Sequence, residues 1–408
     1  MFDSSSVIVG LEIGTTKVCA AVGELNADHA LNIIGLGQAP SQGVRKGEIV
    51  NPSEAEECIR AAMVQAEKMA NAELGSVFLG ITGGHLRGLT NHGIHPVVSA
   101  DREITQQDVE DVVKNAKSIN LPADHSILHA IRQHFTVDGQ TGCPNPVGML
   151  GARLEVDVHV VHGKTNRVQN AVRAVRGLQL EVEAVVFNGL ASSLAVLTPE
   201  QKETGALVID LGAGTTDYVA YVDGIIKHTG VLAVGGDHVS NDLAYGLKVP
   251  LGRAESLKIE HGAARLQESA RGQRIVYGRD ATGAERTVSK EHLQLIMAAR
   301  IEETLQLVAD DLDAVGLLGY LGAGVVLCGG GARIPEIAEV AAGIFGTPVT
   351  LGRTNCINGL KSALDHPEFA TAIGLVRYGS LQQTRRQSGT GLVNTVKETL
   401  SSLFNRRS

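Results

Sequence analysis

One pattern occurs twice in this 408-residue chain, and it constrains the fold more than any other feature. Near the start the sequence reads Val9-Gly10-Leu11-Glu12-Ile13-Gly14-Thr15-Thr16-Lys17, followed by the apolar run Val18 to Val22. Near the middle it reads Val208-Ile209-Asp210-Leu211-Gly212-Ala213-Gly214-Thr215-Thr216-Asp217, followed by Tyr218 to Val222. Each copy has an apolar strand, an acid, an aliphatic residue, a glycine turn, two threonines and a second apolar strand. That order predicts a β-hairpin with a glycine- and hydroxyl-rich tip. Two further matches follow in the same order. Val77 to Gly84 corresponds to Val325 to Gly331, each a strand ending in glycines. Phe187 to Leu194 corresponds to Phe369 to Leu375, each a small-residue helix closing a half. One glycine–threonine turn recurs in many α/β proteins, but three matches in one order point to a duplicated unit. Two α/β lobes facing each other across a cleft are therefore expected.

The stretches between the matched strands read as inserts. Residues 85–163 hold a capping box, Thr105-Gln106-Gln107-Asp108, which opens an amphipathic helix to about Ile119. Two alternating strands follow, Ile127 to Val137 and Arg153 to Val161. In the second, Leu154, Val156, Val158 and Val160 share one face, and Glu155, Asp157 and His159 the other. Residues 235–300 form another insert, with a hairpin expected around Gly278 to Gly283 and a long helix from about Lys290 to Leu312.

Composition narrows the function. A net charge of −8 argues against bulk nucleic-acid binding. No long uninterrupted apolar run is present, and the N-terminus lacks the basic start of a secretory signal. The five cysteines (Cys19, Cys58, Cys143, Cys328, Cys356) are scattered, with no Cys-x-x-Cys pair. Neither zinc nor a disulfide framework is expected, and the chain reads as a reducing, cytoplasmic protein. The 48 glycines are the excess to be explained. A glycine tip exposes backbone N–H groups, which suit phosphate oxygens. Thr15, Thr16, Thr215 and Thr216 add hydroxyls. Glu12 and Asp210 precede the tips, and carboxylates beside a polyphosphate suit hydrated Mg²⁺. Gly329-Gly330-Gly331-Ala332 ends a strand and would let a base and ribose lie against backbone. Together these elements point to a nucleotide held between the lobes.

The order of hairpin, insert, helix, hairpin, insert and Gly-Gly-Gly-Ala resembles the actin, sugar-kinase and DnaK-chaperone ATPase superfamily. Within it the chain is similar over nearly its whole length to the FtsA family of bacterial cell-division proteins. The similar stretches include Val9 to Thr15, Asn32-Ile33-Ile34-Gly35, Ala116-Lys117-Ser118, Asn145-Pro146-Val147-Gly148, Gly189 to Ser193, Asp242 to Tyr245, and Ala254 to His261. The resemblance implies an actin/DnaK-type fold with subdomain IA at 1–84 and 164–197, IC at 85–163, IIA at 198–234 and 301–378, and IIB at 235–300. That IC placement argues against an MreB-type chain.

By the resemblance, Gly14, Thr15, Thr16 and Lys17 form the first phosphate loop, and Asp210, Gly212, Ala213, Gly214, Thr215 and Thr216 the metal and second phosphate loop. Gly329, Gly330, Gly331 and Ala332 take the adenosine of ATP, and Asp210 and Glu12 hold Mg²⁺ through water. Glu255 and Lys258 match ribose and adenine contacts, although their spacing is also that of a solvated i,i+3 ion pair. Glu12 stands where many relatives have Asp. Asn188 stands where hydrolytic relatives carry Gln or Glu, and Asn cannot act as a base. Binding with at most slow hydrolysis is expected, with Asp210 and Asn188 as the only catalytic candidates.

After Tyr378, residues 379–391 are polar and read as a flexible linker. Then Leu392, Val393, Val396, Leu400, Leu403 and Phe404 recur at helical spacing, with Lys397 flanking the stripe and Arg406 and Arg407 beyond it. Such a helix at 392–408 could dock on its own lobe or on a partner. The terminal position, the linker and the positive charge favour an anionic lipid interface. The FtsA family also has a membrane-targeting helix at this place. Without a Trp anchor a single helix binds weakly, so attachment should depend on many helices carried by one filament.

The resemblance further implies filaments, the FtsZ C-terminal tail docking on the IIB region, FtsN and other division proteins addressing IC, and a peripheral place on the cytoplasmic face of the inner membrane at the septum. Arg253, Lys258, Arg265 and Arg271 could form a basic patch for an acidic tail, or simply a solvated face. The alternatives are a PilM-like pilus-assembly protein and a sugar or acetate kinase.

Overall fold

The computed structural model describes residues 7–26, 30–279, 281, 283–354, 358–360 and 366–387. Two sheets share one plan. The first runs, in spatial order, Leu31–Pro40, Lys17–Leu25, Val7–Ile13, Ser76–Ile81 and Glu181–Phe187, with the short Asn358–Gly359 on its edge. The second runs Ile225–Leu232, Thr216–Val222, Ala206–Leu211, Val325–Cys328 and Val349–Leu351. In both, an antiparallel meander of three strands is extended by two parallel strands. The central strands are buried on both faces, which their continuous apolar runs require. The acids correspond in register, with Glu12 beside Gly80 and Asp210 beside Cys328.

The hairpins superpose differently from their threonines. Gly14 N–H donates to the Lys17 carbonyl at 2.9 Å, and Gly212 N–H to the Thr215 carbonyl at 2.9 Å. The turns are therefore 14–17 and 212–215, which sets Thr15-Thr16 opposite Ala213-Gly214 and Lys17 opposite Thr215. The threonine pairs are offset by two positions, so one hydroxyl of the second pair lies inside the following strand.

Two helices of small residues join the halves. Asn188–Val196 and Ala370–Gln387 cross in backbone contact, since a Cβ on Gly374 would lie 1.8 Å from the Ala191 carbonyl oxygen. The second helix also lies on the first lobe's sheet, where a Cβ on Gly10 would meet the Ala372 carbonyl oxygen at 2.3 Å. Residues after 366, grouped by sequence with the second lobe, thus pack against the first. This helix also corrects the expected linker. It runs on to Gln387, Ser380 is buried, and Gly379 seats against Ile8 and Phe78. Ser380 and Thr384 turn their hydroxyls back to the carbonyls of Arg377 and Ser380, so polar residues here satisfy the helix rather than break it. The amphipathic stretch 392–408 lies outside the described residues.

The first insert is a four-stranded antiparallel sheet in the order Arg87–Pro96, Arg153–Lys164, His125–Val137, Gln140–Cys143. Helix Gln106–Lys117 starts at the Thr105 capping box and covers Leu154, Val156, Val158 and Val160, forming a separate core. The opposite face is not all solvent. His159 is buried against the second lobe, its Nε2 2.8 Å from Thr229 Oγ1. The second insert holds helices Gly236–Leu247 and Leu251–His261, hairpin Arg274–Arg279 with Glu285–Ser289, and the long helix Lys290–Ala314.

Candidate functional site

The two glycine tips meet where the lobes face each other. A Cβ on Gly214 would lie 2.3 Å from Thr15 Oγ1, so only glycine fits there. Thr15 Oγ1 also accepts from Gly47 N–H at 3.0 Å. Thr16 is exposed, and its carbonyl accepts from Ser41 N–H at 2.9 Å. Lys17 does not reach out to the opposite tip. Its ammonium donates to the Glu368 carbonyl and lies 4.7 Å over the Phe369 ring, while its charge acts on Glu12 and Asp210.

Beneath the tips lie three buried carboxylates. Glu12 has an Oε2 that is buried and without a hydrogen-bond partner. Burial pushes its carboxyl up to about 7, against the pull of Lys17 and with the help of Asp210. Asp210 Oδ2 accepts from Ser192 Oγ at 2.5 Å and from Thr371 Oγ1 at 2.7 Å, one hydroxyl from each joining helix. Burial raises the Asp210 carboxyl, and those two hydrogen bonds and Lys17 oppose the rise. Asp217 accepts from Thr82 Oγ1 at 2.6 Å and from Thr215 Oγ1 at 3.2 Å. Burial, then Asp210, holds it well above the usual carboxylate range. The Thr82 bond ties the first lobe to the second. Asn188 is buried, its Oδ1 is unpartnered, and it faces Gly80, where a Cβ would come within 2.5 Å of that oxygen.

The remaining expected contacts divide. Gly329 sits at φ 80°, with room for no side chain between Asp210 Oδ1 and the Leu211 carbonyl. Gly330 opens onto free space, Gly331 packs on Leu211 and Ala332 is buried. This is a bare backbone shelf beside Asp210. Thr216 is fully buried, and its hydroxyl donates to the Val234 carbonyl at 2.9 Å. Its hydroxyl is spent there, because the offset of the turns places it inside the strand Thr216–Val222. Glu255 and Lys258 do form an ion pair, at 2.7 Å. Lys258 Nζ also donates to Ser240 Oγ at 2.9 Å and to the Gly236 carbonyl at 3.2 Å. Gly236 N–H in turn donates to the Gly212 carbonyl at 3.0 Å, so the pair braces the second tip. Half of the suggested basic patch is neutralised, since Lys258 is paired to Glu255 and Arg265 to Glu336 at 2.5 Å.

Sequence reading passed over Thr82, Ser192, Thr371 and Asp217. All four lie inside the matched repeat segments, so the signal was a hydroxyl or acid at a conspicuous glycine cluster or closing helix. Among the described residues no group of three or more His, Cys, Asp or Glu side chains could hold a metal by itself. The donor set of Glu12 Oε2 and the two aspartates suits a hydrated hard cation, which keeps its waters and needs few protein ligands. The residues therefore fit Mg²⁺ carried with a nucleotide.

Comparison with known proteins places this geometry. The family model of Cell division protein FtsA matches residues 207–374, and that of the SHS2 domain inserted in FtsA matches 83–162. The Cell division protein FtsA of Pseudomonas aeruginosa is 38% identical over 381 residues, covering 93% of this chain and 91% of the relative. The chain belongs to the FtsA family. Its namesakes in Neisseria meningitidis and Escherichia coli are 38% and 37% identical, over 97% and 91% of this chain and 98% and 90% of theirs. Among solved structures, the PilM–PilN type IV pilus biogenesis complex matches with TM-score 0.63 at 17% identity, covering 91% of this chain and 98% of that one. MreB5 of Spiroplasma citri bound to ADP matches with TM-score 0.56 at 16% identity, over 95% and 100%. Those likenesses show the actin-like ATPase fold, shared by this FtsA-family chain.

Proposed function

We propose that this chain is an ATP-binding, filament-forming division protein that tethers FtsZ polymers to the cytoplasmic membrane. One observation carries the nucleotide part: duplicated glycine tips from opposite lobes meet over buried, partly unsatisfied carboxylates. The tips offer amides and hydroxyls to phosphates, and the shelf at Gly329–Ala332 offers backbone to the base and ribose. Mg²⁺, when bound with ATP, would supply charge neutralisation between the phosphates and Glu12 and Asp210. Ser192 and Thr371 hold one Asp210 oxygen and leave Oδ1 on the cleft side. Asn188 can orient a water by hydrogen bonding but cannot deprotonate it, so turnover should be slow. The nucleotide then works mainly as a ligand that sets lobe geometry and self-association.

Identity of 37–38% along nearly the whole chain to cell-division proteins favours this reading over a PilM-like or kinase role. FtsZ would dock on the second insert, and FtsN and other division proteins on the first. Residues 392–408 would reach anionic lipid at the inner membrane, firmly only when many copies are joined. Liposome co-sedimentation with ATP tests the proposal. The full chain should pellet and a chain ending at Gln387 should not, while both retain ATP binding and low phosphate release. ATP-dependent sugar phosphorylation, or equal pelleting by the truncated chain, would overturn it.

A further inference from the structure

A second recess adjoins the nucleotide cleft, where the first insert joins the first lobe. It is a cavity of about 350 Å³ whose lining includes Glu48, His85, Arg87, His125, Lys164 and Arg167. Three of these carry fixed positive charge and one is acidic, a local excess of two on a chain of net charge −8. Glu48 already pairs with Arg167 at 3.2 Å. Arg87 spends one nitrogen on the Gly84 and Leu86 carbonyls. Lys164 Nζ has no ion pair among the described residues and is exposed at the rim. Helix Thr165–Arg176 begins at Lys164 without a side-chain cap, and its Thr165 N–H already donates to the Asp124 carbonyl at 2.9 Å, so only its dipole adds to the positive charge at this end.

The independent pointer is His85, 9% exposed. Its Nδ1 accepts the Lys164 backbone N–H at 3.2 Å, which fixes the ring proton on Nε2. Burial, then Arg167, His125, Lys164 and Arg87, pushes this imidazole down to about 4, so at neutral pH it stays in that tautomer. The Nε2–H is then a donor with no acceptor among the described residues. His125 Nδ1 is engaged with His162 Nδ1 at 2.9 Å.

We infer that this recess binds the phosphoryl group of a small phosphorylated molecule, with His85 Nε2–H, Lys164 and Arg87 as its donors. An excess of two positive charges matches a phosphate dianion, whereas a single carboxylate leaves one cation unbalanced. The bound group would bridge the insert, through Arg87 and Lys164, to the lobe, through Arg167 and its helix. It would therefore stiffen the joint between them.

Phenyl phosphate and benzoate, titrated by calorimetry into the full chain with saturating ADP present, test this. Phenyl phosphate should bind at one site. The Arg87→Gln/Lys164→Gln double variant should weaken it at least tenfold, and Lys164→Arg should largely restore it when combined with native Arg87. In the parent chain the His85 imidazole proton should shift along the same titration, a readout that does not need a folded variant. Absence of binding under saturating ADP, equal affinity for benzoate, or an unmoved His85 proton would each overturn the assignment.

Discussion

Backbone contact at Gly374 is where the residue scale is most exacting. A methyl there would sit 1.8 Å from the Ala191 carbonyl oxygen, and neither helix can yield without moving the other. Gly374→Ala should destabilise the chain by about 3 kcal/mol, the upper end of overpacking costs. Gly343 is a control in helix Ile337–Phe345 with nothing within 4 Å of an added methyl, and Gly343→Ala should stabilise by about 0.5–1 kcal/mol. Denaturant melts of the two variants check both signs. The same helices deliver Ser192 and Thr371 to Asp210, so Thr371→Val should weaken Mg-nucleotide binding while leaving the melt within about 1 kcal/mol of the parent. Fluorescent-nucleotide titration checks it. Glu12 and Asp210 were legible in the sequence because an acid before a glycine turn stands out. The hydroxyl of Thr216 went elsewhere because the pair of threonines repeats while its place relative to the turn is shifted by two residues.

Elements were legible wherever periodicity was strong. The capping box at Thr105, the alternating strand from Arg153 and the long helix from Lys290 all stand close to where pattern alone put them. Helix Ala370–Gln387 escaped because its last turns are polar, and its anchorage comes from small residues seated on Ile8 and Phe78, a tertiary fact. Ending the chain at Tyr378 should therefore cost stability, by about 1–3 kcal/mol, whereas ending it at Gln387 should not. Thermal melts of the two truncations distinguish them, and equal melting temperatures would contradict the packing. The identity of the lobe that this helix covers was equally invisible, since sequence order groups it with the other half.

At the scale of the whole molecule, the interior holds both basic and acidic groups and pushes each kind towards its neutral form. His85, His129 and His159 are all pushed down to about 4 by burial. Unfolded, they take up protons near pH 6.5, so the stability they confer is complete above that pH and is lost as pH falls towards 4. Glu12 acts oppositely. With its folded value near 7, its contribution is greatest below the unfolded value of 4.5 and is lost as pH rises through 7. The histidine part is therefore read as a difference. His129→Gln should lose less stability than the parent between pH 6.5 and 4, by up to about 3 kcal/mol, in urea melts at several pH values.

The insert's seating also has a mechanical side. Its strands leave the first lobe, yet about midway along them His159 meets Thr229 and Gln133 bonds to the Ile226 carbonyl and to Lys227, all on the second lobe. Beyond that seam the strand His125–Val137 runs on for only four to six residues, about 13–20 Å. Tilting it by about 5° at the seam sweeps the far end through roughly 1–2 Å, at the ordinary rise of a strand. The projection is thus geared to the gap between the lobes, carrying a small change in their spacing out to its far edge as a shift of an ångström or two, about what a hydrogen bond to a neighbouring molecule can register.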